Sequence, residues 1–85
     1  MAHFLYILRS EKDGSYYVGT TQDVEERVRR HNQGRSVYTK AKRPWQVVYV
    51  EEHSNRVSAQ QREREIKQRK SKAYIVSLVS TSRQS

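Results

Sequence analysis

The chain reads as an α/β domain: a small, mainly antiparallel three-stranded sheet flanked by helices, in the order β-β-α-β-α-α. Three observations carry this reading. Two short apolar runs flank an Asp-Gly step, which is a strong hairpin signal. A segment of helical period separates that hairpin from a third apolar run, and two further helical segments follow it.

The first strand is predicted over Phe4–Leu8 and the second over Tyr16–Gly19, with the turn at Glu11–Gly14 between them. The third is predicted over Gln46–Val50, opened by Pro44 and Trp45. The first and third runs are apolar at consecutive positions, so the sheet is expected to be covered on both faces. The first helix should start at Asp23, which forms a capping box with Glu26, and stop at Gly34. Between them Val24, Arg27, Val28 and His31 fall at i, i+3, i+4 and i+7, one face of a helix. The second helix is predicted from about Asn55 to Lys70, with Ala59, Arg62, Glu63 and Ile66 facing inward. Ser71 then caps a short last helix carrying Tyr74, Ile75, Leu78 and Val79. Residues 1–79 form a single domain in this reading, and 80–85 a flexible C-terminal tail.

Composition narrows the function classes. The 85 residues allow one domain with a modest core. The absence of cysteine excludes a disulfide framework and a Cys-based zinc site. No run is apolar enough to span a membrane and the start does not read as a signal peptide, so no membrane role and a cytoplasmic location are expected. Seventeen Lys and Arg against nine Asp and Glu leave a formal net charge of +8. That surplus favours polyanionic partners, because each neutralised phosphate releases counterions. Charge alone says nothing about catalysis.

Two places break the apolar pattern. Arg27 and His31 share a helix face with Val24 and Val28, and Glu63 lies between Ala59 and Ile66. Partly buried charges need partners or a ligand. Either these residues build a site, or Glu63 pairs with Arg27 or another base and merely orients the helices. The hairpin adds tyrosines. If the turn closes a Ser10–Ser15 pair, Tyr6 lies opposite Gly19 and diagonal to Tyr17, all on one face. Gly19 then leaves room beside Tyr6 for close approach of a ligand.

Taken together these positions resemble the GIY-YIG nuclease superfamily, especially its small stand-alone bacterial members, and are similar to the N-terminal domain of the excision-repair incision subunit. Phe4-Leu5-Tyr6 stands where the family has Gly-Ile-Tyr, and Tyr17-Val18-Gly19 where it has Tyr-Ile-Gly. Thr20 to Asp23, then Glu26-Arg27 and His31-Asn32, resemble its first helix with the characteristic arginine. Tyr38-Thr39 and Arg43-Pro44 are similar to the loop before its third strand. Ala59 to Glu63, followed by Ile66-Lys67, resembles the helix that bears its metal-binding glutamate. The ordered set extends from Phe4 to about Leu78. The first glycine of the family name is replaced by Phe4, and no separate DNA-binding domain is recognisable.

The resemblance implies a metal-dependent endonuclease that hydrolyses phosphodiester bonds in DNA, with single-stranded or branched DNA as candidate substrates and DNA repair as one pathway. It implies a single divalent metal, Mg²⁺ or Mn²⁺, held by Glu63 with waters completing the shell. Arg27 is then expected to hold the phosphate, and Tyr6 or Tyr17 to activate the nucleophile, with Tyr6 preferred as the base and Tyr17 as the positioning residue. A tyrosine is a poor base at neutral pH, so neighbouring cations are expected to favour its phenolate. His31 is either a second proton carrier or a hydrogen-bonded core histidine, the supporting role being preferred. Gly19, Arg30, Arg35, Tyr38, Lys40, Arg43, Lys67 and Lys70 are the candidate nucleic-acid contacts, with Tyr38 able to stack on a base for about 1–3 kcal/mol. Target selection is left to a protein partner or a homodimer. The rival reading is a non-catalytic nucleic-acid-binding module on the same fold.

Overall fold

The computed structural model describes residues 2–83. The observed elements are β1 (His3–Ser10), β2 (Tyr16–Thr21), α1 (Val24–Asn32), α2 (Val37–Lys40), β3 (Trp45–His53), α3 (Arg56–Gln68) and α4 (Lys72–Arg83). The sheet has three strands in the order β2-β1-β3, and both pairings are antiparallel. The predicted class and element order are therefore those observed, with one addition. Between α1 and β3 the chain makes a single extra turn of helix, α2, where a loop was expected.

β1 is central and contributes the largest share of the core of any element. Leu5, Tyr6, Ile7 and Leu8 are all fully buried. Alternate residues point to opposite faces, so a run without polar breaks can be buried only if both faces are covered. One face packs Leu5, Ile7 and Val18 against Ile66 of α3, with Tyr74, Ile75 and Leu78 of α4 adding cover. On the other, Tyr6, Leu8 and Trp45 pack with Tyr17 and with Val24 and Val28 of α1. A fully buried Leu or Ile contributes about 1.5–3 kcal/mol, which makes β1 the stretch least tolerant of polar substitution. A register shift between Ile7 and Leu8, paired with Tyr49 and Val47, leaves Val48 as a bulge in β3.

Element ends follow from side-chain caps. The Asp23 carboxylate accepts from the Glu26 N–H at 3.1 Å. The reciprocal half of the box is replaced by Thr21, whose hydroxyl oxygen accepts from the Asp23 N–H at 3.1 Å. Gly34, just past α1, has φ +79, a left-handed conformation that suits glycine. Asn55 caps α3 by accepting from the Ser58 N–H at 2.8 Å. Ser71 accepts from the Tyr74 N–H at 3.1 Å at the start of α4. α4 then runs to Arg83, past the predicted tail boundary at residue 80. The rest of that tail, 84–85, lies outside the described residues. The Arg43–Pro44 peptide bond is cis.

Arg62, one of the inward-facing charges, is neutralised within the fold. Its Nε donates to Glu51 of β3 at 3.2 Å, and a terminal nitrogen donates to Glu65 at 2.7 Å and to the Tyr74 hydroxyl at 3.1 Å. Tyr49 and His53 also hydrogen-bond Glu51, at 2.6 and 2.7 Å. Burial opposes ionisation of Glu51, but the Tyr49 and His53 hydrogen bonds and the Arg62 charge outweigh it and hold the carboxyl below its usual range. This network joins β3, α3 and α4 and uses none of the residues near Tyr6.

Candidate active site

The hairpin turn closes as its residues require. Ser10 and Ser15 pair through a 2.8 Å backbone bond, and Gly14 has φ +76. That closure fixes the register, which sets Tyr6 opposite Gly19 and Leu8 opposite Tyr17. Tyr6 and Tyr17 therefore share a face as neighbours on the diagonal, with ring centroids 6.3 Å apart.

The space over Gly19 is not left for a ligand. A Cβ there would stand 2.7 Å from the Tyr6 hydroxyl oxygen and 3.1 Å from the Tyr17 ring. The Tyr6 phenol lies directly over Gly19, so the glycine admits the tyrosine itself. This corrects the expectation of an open approach, and it shows why a residue with no side chain stands there.

α1 brings its two polar inward residues to the same place. His31 is buried, and its Nε2 lies 3.2 Å from the Tyr6 hydroxyl. Its Nδ1 lies 2.8 Å from the hydroxyl of the buried Thr39 in α2. Trp45 fixes Thr39 in turn, its indole N–H donating to the Thr39 carbonyl at 2.9 Å. Asn32 clamps α1 to β3, accepting from the Trp45 N–H at 2.6 Å and donating to the Trp45 carbonyl at 3.1 Å. The pair Tyr6–His31 is thus held from both sides by packed elements.

Burial dominates the electrostatics. It pushes the Tyr6 phenol up to about 12, against the downward pull of Arg27, with the Tyr17 and Glu63 charges adding to the rise. Desolvation thus outweighs the single arginine, and Arg27 by itself does not favour the phenolate. Burial and the positive charge of Arg27 together lower the His31 pKa from its usual 6.5. His31 is therefore neutral at pH 7 and able to accept a proton.

Arg27 has no carboxylate within ion-pair distance among the described residues. Tyr17, Arg27, Arg30, His31, Arg35 and Ser36 line a hollow of about 350 Å³. Three guanidinium groups without a matching acid in the lining make it suited to a phosphate. Tyr38 is 73 % exposed, with its ring centroid 6.0 Å from that of Tyr17.

Glu63 stands in a separate hollow of about 530 Å³ with Gln60, Arg64, Lys67, Gln68 and Lys70. Its partner is Lys67, one helical turn on at 2.6 Å, and not Arg27. No group of three or more His, Asp or Glu suited to a metal occurs among the described residues. A lone carboxylate fits a hard cation that keeps most of its water shell, as Mg²⁺ does. Lys40 and Arg43 gather elsewhere, lining a hollow with Lys12, Val37 and Ala41. Among the described residues no helix is long and apolar enough to cross a membrane.

Asn32, Ser36 and Thr39 complete the site without having been assigned a role in it, and Trp45, which the sequence offers as a base-stacking residue or a core anchor, is buried as the anchor. Asn32 and Thr39 lie beside flagged residues in sequence, but no periodicity marks them. Only the folded path between α1 and β3 shows what they touch.

The comparisons agree with the fold. The GIY-YIG catalytic domain model matches residues 2–75. A UPF0213 protein of Staphylococcus saprophyticus is 46% identical over 66 residues, spanning 76% of this chain and 79% of the relative. A UPF0213 protein of Staphylococcus aureus is 45% identical over 67 residues, spanning 78% and 80%. The solution NMR structure of a UPF0213 protein from Bacillus halodurans is similar with a TM-score of 0.56 and 36% identity, over 92% of this chain and 85% of that one. With a family match over most of its length and the paired tyrosines of β1 and β2 set beside Arg27, this chain belongs to the GIY-YIG catalytic domain family.

Proposed function

We propose that this protein is a divalent-metal-dependent endonuclease acting on the phosphodiester backbone of DNA. The observation that carries the reading is the Tyr6–His31 hydrogen bond at the wall of a hollow lined by an arginine with no carboxylate partner among the described residues. Tyr6 is a neutral phenol at pH 7, so it cannot take a proton without giving one up. His31 supplies the outlet. With its Nδ1 proton on Thr39, the Nε2 lone pair faces the Tyr6 hydroxyl. As water attacks phosphorus, its proton passes inward to the Tyr6 oxygen, which lies behind the Tyr17 and His31 wall of the hollow, while the Tyr6 proton passes to His31. The tyrosine remains neutral throughout, and the imidazole carries the charge. Arg27 grips the phosphate oxygens, where negative charge grows as the new bond forms.

Glu63 would hold the divalent cation, Mg²⁺ or Mn²⁺, which when bound neutralises charge on the phosphate and on the leaving oxygen. Tyr17 packs edge-on against His31, with centroids 4.9 Å apart, and orients it. Arg30 and Arg35 extend the phosphate contact, and target selection falls to a partner protein or a second copy.

The test is cleavage of single-stranded, duplex and branched DNA, with either metal and with EDTA, by wild type and by Glu63→Gln. Cutting by wild type alone, and only with metal, is the expected result. Salt-sensitive binding without cutting of any substrate would replace the nuclease with a binding module on the same fold.

A further inference from the structure

Lys67 lines three hollows. One surrounds Glu63, the second contains Tyr17 and Tyr38, and the third is a groove of about 300 Å³ between β2 and the start of α4. The groove has an apolar floor, Tyr16, Val18 and Ile75, and its rim holds Lys67, Lys70 and Lys72. No carboxylate lines it. Lys67 is committed to Glu63, but Lys70 and Lys72 have no ion-pair partner among the described residues. β2 is an edge strand, so nothing in the sheet covers this side.

The groove is continuous with the candidate active site. Tyr17 belongs both to the arginine hollow and to the hollow with Tyr38, and that second hollow shares Tyr16, Val18 and Ile75 with the groove. A path therefore leads from the Arg27 phosphate position, past two aromatic rings, to an apolar trough edged with cations.

We propose that this groove is a binding track for the nucleotides flanking the phosphate that is cut. Bases lie on the Tyr16 and Ile75 floor, and their phosphates meet Lys70 and Lys72. The inference rests on the nuclease reading and extends it. An apolar peptide would gain from the floor alone and would leave two desolvated lysines unanswered. A strand with a flat apolar base and one negative charge per nucleotide answers both. A fully paired duplex keeps its bases stacked inside, so the track takes an unpaired stretch of the substrate.

The test uses Lys70→Asn/Lys72→Gln in the full chain. Lys70 has φ +48, a conformation asparagine tolerates, and Lys72 is exposed, so the double variant should fold. Binding of an oligothymidylate is measured in EDTA over a range of salt, with amide chemical shifts recorded for both proteins. Loss of two single-strand phosphate contacts should lower the slope of log K against log salt by about 1.4. In wild type, amides of Ser15–Val18 and Lys70–Ile75 should shift along with those of Arg27–Ser36. An unchanged slope, or shifts confined to Arg27–Ser36, would overturn the track. So would shifts in the groove produced by an acidic peptide and not by the oligonucleotide. Groove shifts in a protein that cuts nothing with Mn²⁺ would instead support the track while removing the nuclease reading.

Discussion

Gly19→Ala tests the claim that the glycine exists to admit Tyr6. The new Cβ would lie 2.7 Å from the phenol oxygen, 2.9 Å from the ring carbon that bears it and 3.1 Å from Tyr17. Favourable contacts between heavy atoms fall at about 3.5–4.0 Å, so the overlap is several tenths of an ångström on two rings at once. Tyr6 cannot withdraw easily, because it is fully buried and hydrogen-bonded to His31. Overpacking of this kind costs about 1–3 kcal/mol. Replacing a strand glycine by alanine otherwise gains about 0.5–1 kcal/mol in backbone entropy. The net expectation is a loss of about 1–2 kcal/mol, seen as a fall in Tm of about 4–8 °C per kcal/mol for a domain of this size. Cleavage should fall further than stability, since the phenol that moves is the one proposed to exchange protons. Thermal melts of Gly19→Ala are to be compared in the wild-type and Tyr6→Phe backgrounds. Removing the oxygen deletes the shortest contact, so the cost should shrink by about 0.5 kcal/mol or more. An unaltered Tm and cleavage rate, or an identical cost in both backgrounds, would refute the reasoning.

Glu63→Gln should abolish metal-supported cleavage yet change stability by no more than about 0.5 kcal/mol, since its ion pair with Lys67 is an exposed i,i+4 contact; parallel melts and cleavage assays check both. Lys67→Met frees that carboxylate, and Mn²⁺ titration followed by electron paramagnetic resonance should show about twofold tighter binding. Because the folded pKa of His31 lies below 6.5, its contribution to stability is complete above that pH and is lost as pH falls through the folded value. Chemical denaturation between pH 8 and 5 should show this loss, and it should be smaller in His31→Gln. Asn32→Ala leaves the Trp45 N–H and C=O without their side-chain partners, for about 1–3 kcal/mol by urea unfolding.

Strands and helices were legible because burial imposed a pattern on them. Consecutive apolar residues in β1 required cover on both faces, and the Asp23, Asn55 and Ser71 caps are chemical signals local in sequence. The opposition of Tyr6 and Gly19 followed from turn closure alone. α2 was not legible, because Val37 and Tyr38 are 93 % and 73 % exposed and leave no apolar period. The ends of β3 were missed for a related reason: Glu51 and His53 are polar, and only Arg62 and Ser58 across the fold make their placement favourable. Around the site, residue types on one helix face identified Arg27 and His31, but not which group would win. Whether Tyr6 is raised or lowered depends on burial against one guanidinium, a balance set by how tightly the rings pack. Thr39, distant from Tyr6 in sequence, could be connected to it only through the fold.

The sheet order β2-β1-β3 has a consequence for how the chain assembles. Its middle strand is made before either neighbour, and its outer partner β3 is joined to it through pairs as remote as His3 with His53. The hairpin can form early because its contacts are local, but two strands with one apolar face uncovered are marginal in water. One margin of β1 therefore stays open until the chain has passed His53, presenting unpaired amides along the most apolar segment of the protein. Sequence-distant closure of this kind slows folding. A ribosome-bound or truncated chain ending before β3 would expose that margin to other chains, so aggregation during synthesis is the hazard this topology carries.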